Sequence, residues 1–164
     1  MNKLREKLLS LLENNSRLKH AELAVMTGTD INTVESELNK LTSDGIIAGF
    51  NTLINWDKTD REFVSALIEV KVTPQRGQGF DIVAKRIYGF DEVKAVYLMS
   101  GGFDLTVIVQ GKTIKDVAYF VSDKLAPMES VLSTATHFVL KKYKDHGIIL
   151  DGYNESDERM IISP

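Results

Sequence analysis

Apolar residues in the first third of the chain recur at helical spacing. The first stripe follows the i, i+4, i+7, i+8 pattern of an amphipathic helix, and it is formed by Leu4, Leu8, Leu11 and Leu12. Asn14-Asn15-Ser16 interrupts this pattern, and a short second helix over His20–Met26 then turns Leu23 and Ala24 inward. The spacing therefore predicts two consecutive helices joined by a polar loop.

A third helix is predicted after the tight turn at Gly28. Asp30 is placed to begin it, because a carboxylate can accept the unpaired amides of a first helical turn. The helix ends near Asp44-Gly45, where glycine suits the C-terminal position, and its apolar side carries Val34, Leu38 and Leu41. Three helices with a short glycine-containing turn between the second and third predict a helix-turn-helix.

Beyond the third helix, the β-prone stretch Ile46–Ile54 predicts a two-stranded wing. From Glu62 onward the apolar spacing alternates between 2 and 3.6 residues. The predicted strands are Glu62–Val72, Val93–Met99, Phe103–Val109 and Val131–Lys142, and the predicted helices are Gly79–Tyr88 and Thr113–Leu125. We therefore expect a winged helix-turn-helix domain over residues 1–54, a linker over 55–61, a second domain over 62–144 and a tail over 145–164.

The order strand, helix, strand, strand, helix, strand in the second domain predicts a ferredoxin-like βαββαβ sandwich, so the fold class is α+β. Helices cover one face of such a sheet, and the other face should alternate towards polar residues. Both faces of the two middle strands are nevertheless largely apolar, with Val93, Ala95, Tyr97 and Met99 on one face of the first of them and Val96 and Leu98 on the other. An exposed apolar face usually marks an interaction surface. We expect a homodimer through this open sheet face; the alternative is that the N-terminal domain folds back over it.

The composition is that of an ordinary packed protein, with 43% hydrophobic and 26% charged residues. No apolar run approaches the roughly 18 residues that suggest a membrane span. The amphipathic N-terminal residues also lack the uninterrupted apolar segment of a signal peptide. Because the chain has no cysteine, it has no disulfide framework, which fits a cytoplasmic protein without a membrane partner.

Catalytic chemistry has little support in the sequence. The three histidines, His20, His137 and His146, are scattered and show no metal-ligand spacing. Without cysteine, and without a serine in a nucleophile-elbow setting, covalent catalysis has no candidate nucleophile. We therefore expect no enzymatic activity, no metal and no cofactor.

The order and spacing of several motifs resemble those of the Lrp/AsnC (feast/famine) regulators over roughly residues 2–144. These motifs are the exit from the third helix, Leu41…Asp44-Gly45-Ile46-Ile47…Gly49-Phe50, the turn Gly101-Gly102-Phe103-Asp104, and the strand Thr134-x-Thr136. The resemblance implies a regulator of amino-acid metabolism that binds DNA and senses an amino acid or related small effector between protomers. It also implies assembly into dimers or octamers.

The resemblance places the effector-contacting positions in and after the glycine turn. They are Leu98, Gly101, Asp104, Ile114, Thr134 and Thr136. Their chemistry suits an amino acid, because glycine amides can face a carboxylate, Asp104 can accept from an ammonium group, and threonine hydroxyls donate and accept. A tight hairpin ending at Asp104, with threonines as ordinary strand residues, explains the same positions. Gly102 departs from the family, which usually has a larger, often acidic residue there.

The N-terminal part of the third helix would reach base edges in the major groove. Its candidate base contacts are Asn32, Thr33 and Ser36, and the candidate phosphate contacts are Arg17, Lys19 and Lys40. The charge balance opposes binding, since residues 1–50 hold six cations against seven acids and the whole chain carries a net charge of −3. Family members typically have basic residues at the positions of Ser36 and Glu37. We therefore expect salt-sensitive DNA binding that is weak for each helix-turn-helix domain, here called a head. Several heads in one oligomer would together strengthen the binding.

Two alternatives remain open at this point. One is a ligand-binding oligomer whose degenerate helix-turn-helix no longer binds DNA and serves only in assembly. The other is an enzyme similar to the sirohaem decarboxylases, which share the two-domain architecture and hold an acidic tetrapyrrole with cations and histidines, here His137; a packed or surface histidine is the simpler explanation. The tail contains β-prone Gly147–Leu150 and Met160–Ile162, and it either adds strands to the oligomer or is partly disordered.

Overall fold

A computed structural model of the chain describes residues 2–73 and 79–151. The chain divides into two compact units, Met1–Leu53 and Ile54–Pro164. The first unit is helical and the second is built on a four-stranded sheet.

The helical unit contains α1 (Lys3–Asn14), α2 (His20–Thr27) and α3 (Ile31–Ser43). Its buried core is formed by Leu8, Leu23, Ala24 and Val34, with half-buried Leu4, Leu11, Leu12, Leu18 and Leu38 packed around it. The three predicted helices and their apolar stripes are therefore confirmed.

The turns between these helices follow the local chemistry of the sequence. Gly28 adopts φ +74° directly after α2, a left-handed conformation that favours glycine. The carboxylate of Asp30 then accepts the backbone N–H of Thr33 at 2.9 Å and so caps α3 as predicted. At the other end of α3, Gly45 is left-handed at φ +70°.

The two strands predicted for the wing are not formed: the structure has no strand in Ile46–Ile54. The backbone N–H groups of Ile46 and Ile47 both donate to the carbonyl of Leu41, at 2.9 and 3.0 Å. These bonds cap the C-terminus of α3, and they use the two backbone N–H groups with which a hairpin beginning at Ile46 would pair. β-Prone residues form a strand only where a neighbouring strand pairs with them, and the described part of the chain has no such strand beside this segment.

The second unit has the predicted βαββαβ order. Its elements are β1 (Val64–Val72), α4 (Asp81–Tyr88), β2 (Val93–Leu98), β3 (Leu105–Gly111), α5 (Ile114–Tyr119), a π-helical turn (Phe120–Leu125) and β4 (Val131–Phe138). The sheet order is β2-β3-β1-β4, with every neighbouring pair antiparallel. Both helices pack on one face of the sheet, where Ala66, Ile68, Val70, Val72, Leu105, Val107 and Val109 are buried.

The second predicted helix of this unit is formed by α5 and the π-helical turn, and most of its predicted apolar side faces the core. Its spacing predicts the inward residues Ile114, Val117, Ala118, Val121 and Leu125. Val117 and Leu125 are buried, and half-buried Val121 packs against the same core. Ala118 is exposed, and so is Ile114 at the start of the helix. Phe120, which this prediction does not include, is buried against the ring of Phe90 at a centroid distance of 5.6 Å.

The open face of the sheet is more polar than predicted. A register shift between Val93 and Ala95 places Val93 on the helix-covered face opposite Val109, so it does not share a face with Ala95 and Tyr97. The pairings of Leu67 with Ile108 and with His137 put these three side chains on the open face. Glu69 and His137 also meet there at 3.3 Å. The open face is therefore amphipathic.

The chain after β4 forms a short hairpin of β5 (Lys144–Asp145) and β6 (Ile148–Ile149). Its turn has left-handed His146 and Gly147, at φ 45° and 81°. The β-prone character predicted for Gly147–Leu150 is thus confirmed in part, and Met160–Ile162 lies outside the described residues. No helix in the described ranges is both long and apolar enough to cross a membrane.

Candidate functional sites

The exposed side of α3 is a polar surface facing away from the leucine core. Asn32, Ser36 and Asn39 are exposed on it, at a spacing that places them on neighbouring turns of the helix. Thr33 differs, because its hydroxyl donates to the carboxylate of Asp30 at 2.6 Å and its side chain is half-buried. Two of the three predicted base contacts are therefore available, while Thr33 is committed to the cap.

Glu37 lies on the side of α3 that faces α1. Its two carboxylate oxygens are bound separately: Oε2 accepts from Nε of Arg5 at 2.8 Å, and Oε1 accepts from Nζ of Lys40 at 2.9 Å. Only 16% of the Glu37 side chain is exposed. The hydrogen bond from Arg5, followed by that from Lys40, lowers the pKa of Glu37, so the group is held as a carboxylate.

Arg5 also approaches the carboxylate of Asp44, just after α3, at 3.6 Å. Arg5 is therefore a clamp between the two helices and neutralises part of the acidic charge of α3. Sequence reasoning missed this residue, because 32 positions separate it from Glu37. Only the packing of α1 against the other helices could reveal the pair.

The three predicted phosphate contacts differ in their surroundings. Lys40 is paired with Glu37, as described above. Arg17 and Lys19 lie in the exposed segment between α1 and α2, and no ion pair of theirs occurs within residues 2–73 and 79–151. The backbone N–H of Lys19 donates to the Glu22 carboxylate at 2.7 Å and leaves the ammonium group exposed. All three cations are exposed, and Lys40 is the one of the three that has an ion pair within the described residues.

Asp104 is an anchor of the turn that joins β2 to β3. Its Oδ2 accepts the backbone N–H of Val72 at 2.9 Å, and its own N–H donates to the carbonyl of Val70 at 3.1 Å. Its carbonyl accepts from Met99 at 2.8 Å, which closes the turn. The carboxylate therefore has a structural role in this unit.

The tip of the same turn is open. Gly101 adopts φ +146°, and a Cβ built at Gly101 or Gly102 would meet no atom within 4 Å. Leu98, at the end of β2, is 60% exposed beside this turn. Leu98, Gly101 and Gly102 therefore form an accessible rim at one end of the sheet.

The register of the sheet shows which predicted effector residues lie together. Leu98 pairs with Leu105, Leu105 with Val70, and Val70 with Thr134, so Leu98 and Thr134 lie at the end of the sheet that carries Gly101 and Asp104. Thr136 lies further along β4, opposite Ile68. Ile114 follows the opposite end of β3, where Gly111 pairs with Val64. Within one chain, Ile114 is therefore apart from the other five.

His137 lies on the open sheet face beside Glu69 and not in an enclosed pocket. Its side chain is 58% exposed. No group of three or more histidine, aspartate and glutamate side chains that could hold a metal ion occurs in the described residues.

Comparison with known proteins accounts for both units. The family model described as Lrp/AsnC ligand binding domain matches residues 65–149, and the model described as winged helix-turn-helix DNA-binding matches residues 1–48. The HTH-type transcriptional regulator YugG of Bacillus subtilis is 48% identical over 99% of both chains. This chain belongs to the Lrp/AsnC family.

Two further matches cover most of this Lrp/AsnC chain. An HTH-type transcriptional regulator of Pyrococcus furiosus is 30% identical over 87% of this chain and 93% of its own length. A transcriptional regulator of Neisseria meningitidis, solved as a complex with L-Met, has the same fold with a TM-score of 0.71 and 22% identity, over 92% of this chain and 97% of that one. The Lrp/AsnC protein described here is thus a DNA-binding transcription regulator with a ligand-binding domain.

Proposed function

We propose that this Lrp/AsnC regulator binds operator DNA sequence-specifically through the exposed face of α3 and controls genes of amino-acid metabolism in the cytoplasm. An amino acid or a chemically similar effector, bound between protomers, modulates that binding. The protein acts as a homodimer or a larger assembly such as an octamer, so that several heads bind one stretch of DNA.

One observation carries the DNA-binding proposal: two of the three acids between positions 30 and 42 are committed to contacts within the helical unit. Asp30 caps α3, and Glu37 is bound by Arg5 and Lys40, whereas Glu35 has no such side-chain contact within the described residues. The exposed amides and hydroxyl of Asn32, Ser36 and Asn39 can contact base edges. The low cation count still predicts weak binding per head, because phosphate neutralisation supplies most of the non-specific affinity.

The effector proposal rests on the open turn. Gly101 and Gly102 leave backbone amides accessible to a carboxylate, with Leu98 as an apolar neighbour and Thr134 as a polar one. Asp104 supports the turn, and its carboxylate already holds Val72. Since Ile114 is at the other end of β3, it can complete the site only from a second protomer. The L-Met complex of the Neisseria meningitidis regulator supports an amino acid as the ligand class.

The assembly proposal uses the open sheet face. Tyr97 is 55% exposed there, and half-buried Leu67 and Ile108 lie on the same face. A second copy covering this face would bury apolar area that water otherwise contacts.

DNA binding is tested with fluorescence anisotropy on the region upstream of the chain's own gene, at low and moderate salt. We expect the double variant Asn32→Ala/Ser36→Ala to lose preference for this DNA over a scrambled duplex. Ser10→Ala, an exposed change on α1, is the matched control and should bind as wild type. An intact oligomer that binds neither duplex at either salt concentration would contradict the proposed DNA-binding activity.

Effector binding is tested with thermal shifts across the twenty amino acids and the 2-oxo acids. Once a stabilising compound is found, Leu98→Asp and Ile114→Asp should each abolish the shift. Refolding the two variants together should restore a partial shift, because mixed dimers contain one site in which both residues are wild type. If no compound raises the melting temperature, or if mixing restores nothing, the site between protomers is wrong.

A further inference from the structure

Lys40 and Glu37 form a contact that matters to a helix expected to bind DNA. Lys40 is one turn after Glu37 on α3, and its side chain is 56% exposed while that of Glu37 is 16% exposed. The ammonium group therefore lies at the border between the α1-facing side of the helix and its free surface. In that position it has a carboxylate as its partner and solvent on its other side.

Glu37 is held in place independently of Lys40. Nε of Arg5 donates to its other oxygen at 2.8 Å, and Arg5 is itself braced by Asp44. The carboxylate is thus anchored to α1 and available to Lys40 with little further loss of side-chain freedom. An ion pair with one preorganised partner is stronger than a pair of two mobile surface side chains.

A lysine paired in this way has two competing partners. DNA phosphates attract Lys40, but leaving Glu37 removes a 2.9 Å hydrogen bond from a carboxylate that is mostly covered. Arg17 and Lys19 differ, because they have no ion pair within the described residues and can approach phosphate without such an exchange. The two groups of cations should therefore contribute unequally to binding.

We propose that Glu37, anchored by Arg5, acts as an intramolecular competitor of the DNA phosphates for Lys40 and so limits the affinity of each helix-turn-helix head. The inference rests on the proposed DNA binding and adds a reason for its weakness. A regulator whose helix-turn-helix heads bind weakly occupies its DNA site only when several heads of one assembly bind together. An effector that changes the arrangement of the heads then changes how much of the DNA is bound.

The test is a double-mutant cycle on the full-length protein, with the same upstream DNA and anisotropy measurements over a series of salt concentrations. Lys40→Ala should cost less affinity in the wild-type background than in Glu37→Gln. Releasing Lys40 in Glu37→Gln should also steepen the slope of log K against log salt by about 0.9, the value for one added phosphate contact. Glutamine keeps an oxygen that can accept from Arg5, so the contact with α1 is preserved.

Glu35→Gln is the matched control, because it removes an exposed carboxylate from the same helix without touching the Glu37–Lys40 pair. It should leave the cost of Lys40→Ala at its wild-type value. Circular dichroism melts check that each variant is folded. Should Glu37→Gln unfold, Glu37→Asp replaces it in the cycle. Its shorter side chain holds the carboxylate farther from Lys40 and so weakens the ion pair.

An equal cost of Lys40→Ala in the Glu37→Gln and wild-type backgrounds would overturn the inference while leaving the proposed function standing. Failure of every variant to bind DNA would contradict both. Weak wild-type binding that strengthens in Glu37→Gln and returns to the wild-type value in Glu37→Gln/Lys40→Ala would support both.

Discussion

The carboxylate of Asp104 accepts the backbone N–H of Val72 at 2.9 Å, although 32 residues separate the two positions. Val72 lies at a register shift between β1 and β4, where the regular ladder is interrupted. Asp104 thereby supplies an acceptor to an amide at this irregularity and fixes the turn between β2 and β3 against β1. These hydrogen bonds give Asp104 a structural role within the second unit.

Asp104→Ala should destabilise the second unit by about 1–3 kcal/mol, because it leaves a partly buried amide without its acceptor. Asp104→Asn keeps an oxygen at the same place and should cost less. Chemical denaturation followed by circular dichroism measures both. Equal stability of Asp104→Ala and wild type would show that water replaces the carboxylate without loss.

Gly28→Ala should destabilise the helical unit by about 1–2 kcal/mol, the cost of a side chain in left-handed backbone. A Cβ at Gly28 would meet no atom within 4 Å, so the whole cost comes from the backbone. Gly49 has equally open surroundings but lacks a left-handed φ. Gly49→Ala is therefore the control and should leave the denaturation midpoint unchanged.

The helical unit should lose stability on acidification. The hydroxyl of Thr33 lowers the pKa of Asp30, and the hydrogen bond from Arg5 lowers that of Glu37. A carboxylate with a lowered pKa in the folded state stabilises fully above its unfolded pKa, and that contribution is lost as the pH falls through the folded pKa. The stability that these two carboxylates contribute should therefore begin to fall at about pH 4 and continue to fall below it.

This acid dependence is measured as the urea midpoint of the helical signal at a series of pH values. Asp30→Asn caps the helix with a group that does not titrate, so its midpoint should fall less steeply. An identical pH profile for this variant and wild type would refute the contribution of the cap.

Arg17→Ala/Lys19→Ala should weaken DNA binding to every sequence alike, because phosphates carry no sequence information. The slope of log K against log salt should become shallower by about 1.8 if both cations contact phosphate. Anisotropy titrations on specific and scrambled duplexes provide the measurement. A loss confined to the specific duplex would instead place these residues at base edges.

Tyr97→Glu should dissociate the proposed dimer, because it places a charge on the open sheet face. Tyr119, on α5 in the helix layer, is similarly exposed, at 62% against 55% for Tyr97, and Tyr119→Glu is the matched control. Light scattering after size exclusion reports the mass of each. A dimer that survives Tyr97→Glu would exclude this face as its interface.

Local patterns were enough for the helices, the strands of the four-stranded sheet and the fold class, but they wrongly predicted two strands for the wing. Helical spacing of the leucines, Asp30 as a cap and Gly28 as a turn predict three helices, and a spacing of two between apolar residues predicts β1. These signals depend on interactions within a few residues, which is why they can be seen without coordinates. Family motifs added the likeness to Lrp/AsnC regulators.

What the sequence by itself determined was therefore the two-unit architecture, its family and the list of candidate residues. Tertiary structure decided how those residues are used. It pairs Arg5 with Glu37 and makes the Asp104 carboxylate the acceptor for the backbone N–H of Val72. It also places Ile114 and Leu98 at opposite ends of the sheet, and a register shift directs Val93 towards the helix-covered face. Each of these depends on strand register or helix packing between residues far apart in the chain, and no local pattern encodes such distances.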